Sequence, residues 1–132
     1  MILIDTSVLI DFLNGAETQA TRRLTHALET GVPHGITALV YQEALQGAAT
    51  AEDFKKLKAY LDTQVFYEPK HGRASNASAA RIYFDCRRAG ITLTSTLDCL
   101  IAQTALEHDL ALLHCDKDYE RIQEVRPKLR FW

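Results

Sequence analysis

The chain has 132 residues, 47% apolar and 24% charged, a balance that suits one soluble globular domain over 1–132 with its own core. A net charge of −2 excludes a general nucleic-acid coat, which would be basic, but leaves room for an enzyme that grips nucleic acid through a bound metal and a few local cations. Cys86, Cys99 and Cys115 are odd in number and lack CxxC spacing, which argues against a disulfide framework or structural zinc and for free thiols. No basic-then-apolar leader opens the sequence, and no apolar run approaches the roughly 20 residues of a membrane span, so the expected location is the cytoplasm.

In chain order, Ile2-Leu3-Ile4 reads as a strand buried on both faces, as at the centre of a parallel sheet. Asp5-Thr6-Ser7 offers N-cap side chains to a helix carrying Val8, Leu9, Phe12 and Leu13, which Asn14-Gly15 stops. A helix is predicted from Glu17 to about Thr30, with Leu24, Ala27 and Leu28 inward. Ile36 begins a brief strand, and Thr37 caps a helix that reaches Gly47 and carries Glu43. Glu52 to about Leu61 has Phe54, Leu57, Tyr60 and Leu61 at helical spacing. Val65-Phe66-Tyr67 is a short strand or extended loop, and Arg73 to Arg88 is a long helix ended by Ala89-Gly90. Ser95 or Thr96 caps a helix from Leu97 to about His108. Leu110 to His114 is a strand, Asp118 to Val125 a short helix, and Leu129 to Trp132 a final extended piece.

Strands thus alternate with helices, which gives an α/β fold with a mostly parallel sheet and helices on both faces. In such sheets ligands bind beyond the carboxyl ends of the strands. Asp5 follows the first strand there, and Asp116 and Asp118 follow the last clear one. Asp98 sits in the first turn of its helix and Glu43 within another. Each acid also has a purely structural reading: helix cap, dipole partner or solvated helix residue. No lysine or arginine adjoins Asp5, Glu43 or Asp98 in sequence, so a hard divalent cation is the natural partner for a carboxylate cluster in apolar surroundings.

At four places the chain resembles the PIN-domain ribonucleases, and within them the VapC toxins. Ile2-Leu3-Ile4-Asp5-Thr6-Ser7 is similar to the family's first strand and Asp-Thr-Ser. Glu43 in Tyr41-Gln42-Glu43-Ala44-Leu45 resembles its second acid, and Asp98 in Asp98-Cys99-Leu100-Ile101-Ala102 its third. Asp116-Lys117-Asp118-Tyr119-Glu120-Arg121-Ile122 resembles its closing Asp-x-Asp-Phe-x-x-Ile, with Tyr119 where the family usually has Phe. The resemblance implies a PIN-like three-layer sandwich and endonucleolytic cleavage of RNA with Mg2+ or Mn2+. It implies Asp5, Glu43, Asp98 and Asp116 as catalytic, metal-holding residues, with Asp118 as a lesser ligand or the helix cap. It further implies a VapB-like antitoxin as partner and a toxin homodimer within a larger toxin–antitoxin complex. Thr6 and Ser95 are placed as N-caps that could instead bond a ligand water or phosphate.

RNA needs positive charge, and Arg73, Arg81, Arg87 and Arg88 on the long helix, with Lys117 and Arg121, are the candidates. Tyr41, Leu45 and Phe12-Leu13 are either core or a groove for a partner helix. Three other readings stand beside the ribonuclease: a receiver-type domain that accepts a phosphoryl group, a PIN-like interaction module with little catalysis, and a DNA nuclease using the same metal chemistry.

Overall fold

In a computed structural model covering residues 1–132, four short strands run parallel in the spatial order β2-β1-β3-β4. They are β1 (Ile2–Ile4), β2 (His34–Gly35), β3 (Ala111–Leu113) and β4 (Arg130–Phe131). Every residue of β1 and β3 is buried, so the sheet needs cover on both faces. Two groups of helices supply it. α1 (Thr6–Leu13), α2 (Gln19–Glu29), α3 (Ala38–Gln46) and α4 (Ala51–Leu61) form one group. The other is α5 (Arg73–Arg88), α6 (Leu97–Glu107) and α7 (Lys117–Val125).

The register sets the functional edge. Ile4 pairs with Leu113, so both central strands end level, and the Asp5 N–H adds one more bond to the Leu113 carbonyl (3.0 Å). The chain then turns into helices whose N-termini face the same edge.

Several local expectations are corrected. Asp5, rather than Thr6, caps α1, because the Asp5 carboxylate accepts from the Ser7 N–H. Ser95 caps nothing; α6 begins after Thr96 with no side-chain cap bond. Val65-Phe66-Tyr67 contributes only a single parallel bridge, between Ile36 and Phe66. Leu28 is exposed, and on α4 only Leu61 is buried, while Phe54 and Tyr60 are open to solvent. Of the proposed groove residues, Leu45 is core, Phe12 packs against it, and the Tyr41 hydroxyl donates to Asp62 (2.8 Å). Leu13 does open on a 540 Å³ cavity, together with Ile10, Ala44, Leu57 and Tyr60. No helix is long and apolar enough to cross a membrane.

Candidate active site

Asp5 is held at both ends of its carboxylate. Oδ2 accepts from the Ser7 hydroxyl (2.7 Å), and Oδ1 accepts from the Tyr119 hydroxyl (2.7 Å). Two donors on separate oxygens fix the rotamer while each oxygen keeps lone-pair capacity. Asp5 is 5% exposed, so this orientation is set within the protein rather than by water.

Tyr119 is fully buried on α7. Burial, and then the charges of Asp5 and Asp98, push its hydroxyl far above the ordinary tyrosine range. It is therefore a permanent donor. Its oxygen also lies 3.3 Å from Asp98 Oδ1, but one phenol proton serves only one carboxylate at a time. The shorter contact gives that proton to Asp5. Asp98 Oδ2 is buried and has no partner at all. Desolvation, reinforced by Asp5 and Asp116, raises the Asp98 carboxyl to about 7. A buried carboxylate oxygen without a donor, among other carboxylates, is where a hard cation fits.

Asp116 and Asp118 occupy different environments. Asp116 is the N-cap of α7, and its Oδ1 accepts from the Asp118 N–H (2.9 Å). Asp118 is 1% exposed and fully engaged: Oδ2 accepts from the Thr94 N–H (2.7 Å), the Thr94 hydroxyl (2.6 Å) and the Ser95 N–H (3.3 Å). Its Oδ1 pairs with Arg121 (2.9 Å). Burial alone would raise the Asp118 carboxyl, yet these donors outweigh it and hold the group below the usual range. Asp98, Asp116 and Asp118 bring one oxygen each within 4.8 Å of one another. The helix cap expected of Asp118 thus falls to Asp116, and Asp118 ties α7 to the loop before α6.

Glu43 is half-buried on α3; desolvation, and then Asp5, push its carboxyl up. The neighbouring Thr6 hydroxyl is buried without a hydrogen bond of good geometry, and it moderates the rise at Glu43. No lysine or arginine forms an ion pair with Asp5, Glu43, Asp98 or Asp116. Of the proposed RNA cations, Arg121 is committed to Asp118, while Lys117 lines a 490 Å³ cavity with Asp11, Arg23, His114 and Asp116. His114 accepts from the Asp116 N–H through Nδ1 (3.1 Å) and packs between Tyr119 and Phe131; burial lowers its pKa. Sequence reasoning treated Tyr119 as a tolerated aromatic and missed its hydroxyl between two acids.

The four motifs therefore converge on one edge of the sheet. The PIN domain family model matches residues 2–125. The chain belongs to the PIN-domain family. This PIN domain is 29% identical over 126 residues to a VapC ribonuclease of Mycobacterium bovis and to ribonuclease VapC11 of Mycobacterium tuberculosis. Each match covers 95% of this chain and 93% of the relative. Among solved structures, VapBC2 from Rickettsia felis, bound to a DNA fragment from its promoter, superposes with a TM-score of 0.73 at 16% identity, covering 100% of this chain and 98% of that one. FitAcB from Neisseria gonorrhoeae gives 0.71 at 19%, covering 100% and 96%. The parallel α/β fold and the VapC likeness read from the sequence are both borne out.

Proposed function

We propose that this PIN domain is a cytoplasmic, metal-dependent endoribonuclease, the toxin of a toxin–antitoxin pair, held inactive by a cognate antitoxin. The observation that carries the reading is the buried, partnerless Asp98 Oδ2 beside the Asp116 and Asp118 oxygens, with no cationic side chain paired to Asp98 or Asp116. The names of the VapC relatives support the activity, and neighbours that include a Klebsiella pneumoniae toxin–antitoxin complex support the partner.

Asp5, Asp98 and Asp116 are the residues suited to hold Mg2+ or Mn2+. When bound, such an ion stabilises charge developing on the scissile phosphate and lowers the pKa of water. Asp116 suits the fourth seat better than Asp118, whose two oxygens already meet four donors. Ser7 and Tyr119 hold Asp5 in one rotamer, so little order is lost when the site fills. Glu43, with its raised pKa, is suited to take a proton from the attacking water at a carboxylate oxygen. The Thr6 hydroxyl has a proton to offer a phosphate oxygen or a water.

The test is cleavage of a structured RNA by purified protein with Mg2+, beside a folded Asp5→Asn variant. Metal-dependent cleavage lost in the variant is expected, and undiminished cleavage by Asp5→Asn overturns the assignment. Single-stranded DNA digested in parallel separates the ribonuclease from a DNA nuclease.

A further inference from the structure

The acids explain the chemistry but not how a strand is gripped, which in a chain of net charge −2 falls to local groups of cations. Helix α5 carries four arginines, Arg73, Arg81, Arg87 and Arg88, against one acid, Asp85. Asp85 is taken by Arg81 and Arg126. Arg87 and Arg88 have no carboxylate partner.

These guanidinium groups lie on aromatic rings. Arg81 sits 5.0 Å and Arg88 5.7 Å from the centre of the exposed Phe84 ring, and Arg87 sits 5.9 Å from that of Tyr83. Stacking on a ring pre-orders an arginine and leaves its N–H edge free for a phosphate. Between these side chains, above Ala77 and Ala80, is a shallow bay of 390 Å³. The opposite face of α5 (Ser75, Ala79, Ile82, Cys86) is buried, so the bay looks outward.

The strip also leads toward the acids. α5 runs antiparallel to α6: Ser75 near its start bonds Glu107 at the end of α6. Its last turn therefore lies at the α6 end that carries Asp98.

We infer that the outer face of α5 is a subsite for single-stranded RNA, with an unpaired base seated in the bay beside Phe84 and Tyr83 and its phosphates on Arg87 and Arg88. Single-strand readers combine aromatic platforms with cations along the backbone in this way, whereas a duplex hides its base faces. A second copy of this chain is disfavoured as occupant, because two such faces would set arginines against arginines. The inference rests on the ribonuclease reading.

The test is fluorescence anisotropy of a labelled single-stranded RNA decamer with the full chain in Ca2+, across a salt series. Arg87→Gln with Arg88→Gln is expected to reduce the salt slope by about 1.4, from about 0.7 per phosphate contact. Phe84→Ala is expected to weaken binding about tenfold, with little loss for a duplex. Lys55→Gln with Lys70→Gln, a charge-matched change elsewhere on the surface, should leave both quantities near wild type. If both α5 variants bind as wild type does, while wild type cuts RNA in Mg2+, this inference falls and the ribonuclease reading stands. A wild type that neither binds nor cuts RNA overturns both. Equal displacement of the RNA by polyglutamate assigns the face to an acidic protein segment, and loss of a dimer with unchanged RNA affinity assigns it to a second copy; either result overturns the inference.

Discussion

The Tyr119 hydroxyl donates to Asp5 Oδ1 at 2.7 Å while its oxygen stands 3.3 Å from Asp98 Oδ1, so one buried proton lies between two carboxylates far apart in sequence. In the absence of a cation, this is the only hydrogen bond to Asp5 Oδ1 and the only polar contact of Asp98. A hydrogen bond to a charged group contributes about 1.5–3 kcal/mol.

Tyr119→Phe should therefore lower stability in EDTA by about 1–3 kcal/mol and by less with saturating Mg2+, because a bound cation relieves the repulsion that the hydroxyl otherwise moderates. Urea unfolding in both buffers measures it. An equal loss in the two would show that the hydroxyl has no bearing on the charge of the acid pair.

Asp98 sets a pH dependence for the metal-free protein. Its carboxyl titrates near 7 in the folded state and near 3.8 when free, so between these values the folded state holds the extra proton. Stability from this group is complete below about 4 and is lost as pH rises through 7. Urea midpoints in EDTA should accordingly fall from pH 5 to pH 8. Asp98→Asn should flatten that trend and also weaken Mn2+ binding by calorimetry; an unchanged slope would locate the titration elsewhere.

Asp116 and Asp118 can be separated by the same substitution. Asn caps a helix as well as Asp does, so Asp116→Asn should cost under about 0.5 kcal/mol of stability. It should nevertheless weaken Mn2+ binding more than about tenfold. Asp118→Asn cannot satisfy the Thr94, Ser95 and Arg121 donors together and should lose about 3 kcal/mol. The reverse pattern in the two variants would place the fourth ligand at Asp118.

Much of this was legible because the central strands are short and wholly apolar. Ile2–Ile4 and Ala111–Leu113 announce buried parallel strands, and the sheet rule then points to Asp5 and Asp116. Thr37 and the span of α5 are as expected, since capping and helical spacing are local. What escaped depends on partners distant in sequence. Asp118 is buried because Thr94 and Ser95, 24 and 23 residues earlier, close over it. Tyr119 meets Asp5 from 114 residues away, and an added hydroxyl leaves the hydrophobic pattern unchanged. Phe54 and Tyr60 show the converse: apolar residues at helical spacing that lie on the outer face of α4.

Gly35 marks a further constraint that the sequence pattern does not show. A Cβ there would meet the Val65 carbonyl oxygen at 2.5 Å and the Tyr67 ring at 2.6 Å. The crowding arises because the chain after α4 returns to bridge Ile36: the Ile36 N–H donates to Val65 and its carbonyl accepts from Tyr67, both at 2.9 Å. Gly35→Ala should then push this segment off the edge of the sheet, at a cost of about 1–3 kcal/mol. Because β2 is an edge strand and the acids lie beyond β1 and β3, Mn2+ affinity of the folded fraction should stay at the wild-type value. A lower thermal midpoint with unchanged metal titration is the expected result, and a wild-type midpoint would show that Val65 and Tyr67 yield freely.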